Sequence, residues 1–137
     1  MTLKLSCIVE LSNGDIIYLR SFPSSRIEEF LKFAAETDLI DPSMERIHAT
    51  GGGAYKYQDV LEKQFSPMGI QLMKHDEMES MVNGMAFVLN YAKDPAFTYR
   101  MDEGKRYLAD SLQGFPKLLV SIGSGVSIIK VNDFSSF

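Results

Sequence analysis

Three short stretches carry residues whose types and spacing could do chemistry. The first is Lys74-His75-Asp76-Glu77, four ionisable groups in a row. An apolar-periodic helix follows, so the row stands at a strand-to-helix junction. Asp76 with Glu79 fits a capping box that uses Asp as the cap. Glu77 is then the first helical residue, at the positive helix end where negative charge is favoured. A carboxylate held there can take a proton from a hydroxyl as a general base. The same residues also make an ordinary solvated helix start. The second stretch is Gly51-Gly52-Gly53, between a short strand, Arg46–Thr50, and a helix expected from Ala54 to about Gln64. Strand, glycine turn and helix together aim backbone N–H groups at a phosphate or carboxylate. A triple glycine can equally serve only close helix–strand packing. It is not a Walker A loop, because Lys56 is misplaced and no GK[ST] follows, and the dinucleotide fingerprint GxGxxG is absent. The third stretch is Gly123-Ser124-Gly125-Val126-Ser127. Its glycines permit a tight turn, its N–H groups can line an anion-binding concavity, and its two serines add hydroxyls. A glycine hairpin with no ligand fits the same pattern.

The elements that must position these residues follow from periodicity. Leu3–Leu11 and Ile16–Phe22 flank the turn signal Ser12-Asn13-Gly14-Asp15, which predicts an antiparallel hairpin. Pro23 ends it. Ser25 with Glu28 fits a capping box opening a helix whose buried stripe is Ile27, Phe30, Leu31 and Ala34, ending near Glu36–Asp38. Ile70–Met73 predicts a short strand. From Asp76 the chain carries its most regular helical stripe: Met78, Met81, Val82, Met85, Val88, Leu89 and Ala92. These methionines read as packing. Soft ligands for a metal need His or Cys beside them, and His48 and His75 are far apart in sequence, so no metal site is assigned. Lys93–Gly114 is polar and weakly periodic. It reads as a surface excursion with a short helical turn around Lys105–Ser111. Leu118–Ile122 and Val126–Val131 form the two arms of a hairpin around the third stretch. The tail Phe134–Phe137 looks frayed or cut short. The order is β-β-α-β-α-(β)-α-loop-β-β, a mixed α/β pattern.

Composition narrows the class. The 137 residues fit one compact domain, and an apolar share of 45% with 11% aromatics supports a core rather than disorder. The net charge is −4 and the 14 basic residues are scattered, which points away from nucleic acid and anionic membranes. No apolar run approaches the roughly 18 residues of a membrane span. The N-terminus reads as a strand rather than a signal peptide. The single cysteine, Cys7, excludes an internal disulfide and a CxxC site, and its strand-like surroundings suggest a buried structural thiol.

Three blocks in order then carry a resemblance. They are His48-Ala49-Thr50-Gly51-Gly52-Gly53-Ala54-Tyr55-Lys56-Tyr57, Asp76-Glu77-Met78-Glu79, and Leu118-Leu119-Val120-Ser121-Ile122-Gly123-Ser124-Gly125-Val126-Ser127-Ile128. Their sequence and spacing resemble the ATGGGA[YF]K[YF] and [NS]IGSGVSI blocks of the eukaryotic-type (type II, "fumble") pantothenate kinases. The likeness covers nearly the whole chain. It implies a ribonuclease-H-like, actin-like ATPase lobe, with a mixed sheet flanked by helices. It implies ATP-dependent phosphorylation of pantothenate, the first step toward coenzyme A, with Mg²⁺ and ATP as cosubstrate. By the same resemblance Glu77 is the catalytic base. Ser124, Gly125, Val126 and Ser127 line the pantothenate or acyl-CoA site, and Gly51, Gly52 and Gly53 are candidate glycine-loop contacts. A cytoplasmic homodimer inhibited by acetyl-CoA or other acyl-CoA is implied as well.

The chain also departs from that family. Nothing like the opening DIGG[TS]xxK phosphate-binding strand precedes Leu3. The chain stops at Phe137, before the family's catalytic arginine and GGGT loop. The expectation is a single domain over residues 1–137: the substrate-side lobe without its first nucleotide-binding strand and without the C-terminal lobe, inactive alone. The alternatives are a non-catalytic acyl-CoA-binding or regulatory subunit that pairs with a kinase, and a structural interaction domain carrying the motifs as relics.

Overall fold

The computed structural model describes residues 5–37, 39–41, 43–108, 114–123 and 125–134, with side chains from Ile8 onward. The expected burial of the Cys7 thiol therefore lies outside the described residues. In chain order the elements are β1 (Leu5–Glu10), β2 (Ile16–Arg20), α1 (Ile27–Glu36), β3 (Arg46–Thr50), α2 (Gly52–Lys56), α3 (Gln58–Phe65), a 3-10 turn (Ser66–Met68), β4 (Gln71–His75), α4 (Glu77–Tyr91), β5 (Phe97–Arg100), β6 (Gly104–Tyr107), β7 (Lys117–Ile122) and β8 (Val126–Val131). The architecture is mixed α/β. Among the described residues the strands form four two-stranded ladders, β1–β2, β3–β4, β5–β6 and β7–β8, rather than one mixed sheet. Three of these ladders join strands that are consecutive in sequence and close over short links, which costs little loop entropy. The chain gathers into two compact units, one of Arg20–Ser80 and one of Leu5–Leu19 with the chain from Met81 onward.

The first unit is built on Leu61, Phe65 and Ile70, against which Ile27, Phe30, Leu31, Ile47, Tyr57 and Leu72 pack. The expected stripe of α1 is thus the face that is buried, and Ala34 is buried with it. Phe22 adds ring contacts at 5.7 Å to Phe30 and 5.5 Å to Phe33. The start of α1 differs from expectation. The Arg26 amide donates to the Pro23 carbonyl at 2.9 Å, so Ser25 is spent in a turn, and the helix begins at Ile27 with no side-chain cap. Arg26 pairs instead with Glu29 at 2.7 Å. In the loop before β3, the Ser43 amide and hydroxyl both donate to Asp41 and hold its carboxyl below the usual carboxylate range.

Strands β3 and β4 run parallel, with Arg46 opposite Gln71 and Thr50 opposite His75. The crossover between them was expected to hold one helix, Ala54–Gln64, and holds two. The chain enters α2 already at Gly52 and breaks at Tyr57, whose φ of −108° and ψ of 14° leave the helical range. The Tyr57 hydroxyl donates to the Ser24 carbonyl, anchoring the break to the approach to α1.

In the second unit the turn after β1 forms as expected: Gly14 has φ 91°, and Asn13 Nδ2 donates to Asp15 at 2.8 Å. The β1 end is joined to the end of α4 by Lys93 N–H to the Glu10 carbonyl at 2.8 Å and Ser12 N–H to the Tyr91 carbonyl at 2.7 Å. Every position of the expected α4 stripe is buried or half-buried, and Val82 is fully buried. The Lys93–Gly114 excursion holds a β-hairpin. Lys105–Tyr107 lies in β6, not in a helical turn, and Phe97 faces Tyr107 in register with rings at 6.1 Å. An aromatic and β-branched run before an Asp-Glu-Gly turn explains the difference. Residues 109–111 of that expectation are outside the described residues. Phe134 packs edge-on to Phe115 at 4.8 Å, so the expected fraying does not begin there.

Phe65 is the most heavily packed aromatic of the first unit, at 2% exposure. Phe65→Ala is expected to lower stability by about 3–5 kcal/mol. Urea denaturation followed by circular dichroism checks this, with Val60→Ala, on an exposed site, as the mild comparison.

Candidate active site

The parallel register brings the ends of β3 and β4 out together, and with them two of the three stretches flagged in the sequence. Gly51 follows β3 directly and has φ 77° and ψ 174°, a backbone region open essentially to glycine. A Cβ placed on Gly51 would lie 3.6 Å from Glu77 Oε2. The Glu77 carboxylate therefore stands over the glycine turn. Gly52 and Gly53 have negative φ and open α2, with nothing within 4 Å of a Cβ on either. Because α2 is only five residues long, it cannot supply the helix-end field that a longer helix would.

The four ionisable residues at the start of α4 separate into four jobs. Lys74 Nζ donates to Gln58 Oε1 at 2.6 Å and sits 4.7 Å from the centre of the Tyr55 ring. His75 meets His48 edge to edge, with Nε2 of His75 2.7 Å from Nδ1 of His48. Asp76 Oδ1 accepts the Glu79 amide at 2.9 Å, as the expected cap requires, and its carbonyl accepts the Ser80 hydroxyl at 2.6 Å. Glu77 is the first residue of α4, is exposed, and has no hydrogen-bond or ion-pair partner among the described residues. Thr50 locks the junction: its hydroxyl lies 3.1 Å from the His75 carbonyl and 3.2 Å from the Asp76 carbonyl. A lone-pair-bearing carboxylate on a short, cross-braced support over open backbone is an arrangement that can accept a proton from a bound hydroxyl.

The third stretch belongs to the second unit. In β7–β8 Ile122 pairs with Val126 and Ser121 with Ser127, and Gly123 N–H donates to the Gly125 carbonyl at 2.9 Å. Ser124 lies outside the described residues. Val126 is 64% exposed, on the face that also presents Leu118, Val120 and Ile128. Ser127 stands on the opposite, half-buried face with Leu119 and Ile129. The same unit holds a cavity of about 470 Å³, lined among others by Ile8, Val88, Phe97, Lys105 and Tyr107, none of which the sequence marked as a site residue, with Val88 falling in the packing stripe of α4. The signal that could have found Phe97 and Tyr107 was the aromatic alternation of the β5–β6 hairpin.

Among the described residues no group of three or more His, Cys, Asp or Glu side chains could hold a metal ion. No helix among them is long and apolar enough to cross a membrane.

The family model described as Fumble matches residues 6–137. The chain belongs to the Fumble family, the type II pantothenate kinases. Among relatives, it is 36% identical over 138 residues to pantothenate kinase 2 of Oryza sativa subsp. japonica, covering 90% of this chain and 15% of the relative. Pantothenate kinase of Schizosaccharomyces pombe is 33% identical over 143 residues, covering 96% of this chain and 34% of the relative. A mouse (Mus musculus) protein named 4'-phosphopantetheine phosphatase is 35% identical over 123 residues, covering 88% of this chain and 14% of the relative. The chain thus spans between a seventh and a third of the length of these three relatives.

The geometry separates the glycines of the first block. Gly51→Ala is expected to cost about 1–3 kcal/mol, because alanine must adopt a glycine-only backbone. Gly52→Ala is expected to leave the midpoint unchanged or raise it slightly, since alanine is the better helix former. Thermal unfolding of the two variants side by side checks the contrast, and equal losses in both would contradict it.

Proposed function

We propose that this chain serves ATP-dependent phosphorylation of pantothenate to 4'-phosphopantothenate, supplying the side of the site that holds the acceptor. Membership of the Fumble family supports a role in coenzyme A biosynthesis. The observation that carries the finer reading is the unpartnered Glu77 carboxylate over the Gly51 turn. In this reading Glu77 accepts the proton of the primary hydroxyl of pantothenate. The freed oxygen bonds to the γ-phosphorus of ATP as the bond to the bridging oxygen breaks and ADP leaves. Positioning and charge stabilisation, rather than covalent work by the protein, supply the acceleration. The open backbone at Gly51, Gly52 and Gly53 leaves room for the reacting groups. Ser124, Gly125, Val126 and Ser127 are assigned to pantothenate or to the pantetheine arm of an inhibitory acyl-CoA.

Mg²⁺ would arrive with the phosphates of ATP. The described residues offer no multi-carboxylate cage for it, so no step is assigned through the ion. The parallel β3–β4 pair with its helical crossover is compatible with a ribonuclease-H-like, actin-like ATPase lobe, and we assign it to that fold. A cytoplasmic homodimer belongs to the same reading.

A second reading is a non-catalytic acyl-CoA-binding subunit. The exposed apolar face of the β7–β8 ribbon, with Val126 on it, is the observation that keeps it.

The test is formation of 4'-phosphopantothenate by the purified chain and by Glu77→Gln, with pantothenate and acetyl-CoA binding measured by calorimetry. Removal of a general base is expected to cut any turnover by about 10²–10⁴-fold. Where the chain alone turns nothing over, saturable pantothenate binding is still expected. Acetyl-CoA binding without pantothenate binding would favour the second reading. Turnover indifferent to Glu77→Gln would remove Glu77 from the role of base and overturn the non-catalytic reading, and binding of neither compound would overturn both readings.

A further inference from the structure

Both histidines of the chain meet in one contact, although 27 positions separate them. They come together because β3 and β4 are parallel with Thr50 opposite His75 and His48 opposite Met73. In that register His48 and His75 lie diagonally on one exposed face, since residues two apart share a face. Their rings meet edge to edge, with centroids 5.0 Å apart and 24° between planes, and Nδ1 of His48 and Nε2 of His75 approach to 2.7 Å. At that separation one nitrogen donates its proton and the other accepts. Two ring nitrogens, one bearing a proton and one a lone pair, therefore face one point between the strands.

We propose that His48 and His75 form a two-imidazole clip for a borderline divalent transition ion of the Zn²⁺, Ni²⁺ or Cu²⁺ class. On binding, the shared proton moves by way of solvent to the other nitrogen of its own ring, so both imidazoles stay neutral and each facing nitrogen donates a lone pair to the ion. Two nitrogens about 2.0–2.1 Å from a tetrahedral ion stand roughly 3.3 Å apart. The nitrogens need to part by some tenths of an ångström from their present contact, and each ring must swing so that its nitrogen turns from the opposite nitrogen toward the ion. Both side chains are exposed, so no packed wall resists that movement.

No third His, Cys, Asp or Glu completes the set among the described residues, so water fills the remaining positions. The site is an open, exchangeable one, unlike the four-ligand closed sites that hold structural zinc. Imidazole donors suit Zn²⁺, Ni²⁺ and Cu²⁺, whereas Mg²⁺ demands oxygen ligands. The clip is therefore distinct from any Mg²⁺ that accompanies ATP, and it stands whether or not Glu77 acts as a base.

The composition makes the test clean, because the chain has two histidines and one cysteine. Ni²⁺ is titrated into the 137-residue chain by calorimetry, with Mg²⁺ as the control. His48→Gln, His75→Gln and Cys7→Ser follow, each checked for native circular dichroism. Saturable uptake of one Ni²⁺ per chain is expected, lost in either histidine variant and kept in Cys7→Ser. Proton NMR of the unaltered chain gives a second readout that needs no variant: Ni²⁺ should broaden the ring signals of both histidines together. No saturable uptake, uptake that survives loss of either histidine, or broadening of one ring alone would overturn the clip.

Discussion

The parallel register of β3 against β4 is the constraint on which the candidate site depends. Parallel strands cannot be joined by a tight turn, so the chain must cross over and return. Here α2, α3 and the 3-10 turn make that return, and Leu61, Phe65 and Ile70 hold it in place through the core they form. The result is that β3 and β4 finish side by side at the same end. Gly51 leaves one and Glu77 follows the other. A slip of one residue would send every side chain of β4 to the other face. It would also part the two histidines and release Thr50 from the His75 and Asp76 carbonyls. The position of the Glu77 carboxylate is thus set by a ladder of backbone bonds and a buried apolar cluster, more than by any contact of its own.

Much of the local structure was legible from periodicity and capping. β3 and β8 fall on the expected residues, the α1 and α4 stripes are the buried faces, and Asp76 caps as its type and its spacing from Glu79 require. These features are decided within a few residues, where sequence patterns carry the physics. Pairing was not legible. Nothing within Arg46–Thr50 or Gln71–His75 states that the two strands meet, so His48 and His75 looked remote. The four jobs of Lys74, His75, Asp76 and Glu77 were hidden for the same reason, since each depends on a partner distant in sequence. The break at Tyr57 is a long-range effect too, tied to the Ser24 carbonyl. The β5–β6 hairpin is different. Its aromatic alternation was present and was outweighed by the polar residues around it.

The β7–β8 ribbon shows how a contiguous motif can be divided by geometry. Gly125, Val126 and Ser127 are adjacent in sequence, yet strand alternation turns Val126 and Ser127 to opposite faces. A ligand lying on one face meets one of these side chains and reaches the other residue only through its backbone. The exposed face presents Leu118, Val120, Ile122, Val126 and Ile128, with Lys130 opposite Leu118 at its far end. A two-stranded ribbon is marginal without something packed on it. The half-buried face, ending in fully buried Val131, is where this ribbon is covered.

The break between α2 and α3 has an optical consequence. The chain has six tyrosines and no tryptophan, so its near-ultraviolet emission is dominated by phenol rings. Within Arg20–Ser80 those rings are Tyr55 and Tyr57, on either side of Lys56 and within a few residues of the glycine turn. Tyr55 faces the Lys74 ammonium, and Tyr57 gives its phenolic proton to a carbonyl. Proton donation of that kind and a nearby cation both alter phenol emission. The part of the chain nearest the candidate site therefore carries its own chromophores, and replacing Tyr55 or Tyr57 by phenylalanine isolates their share of the signal.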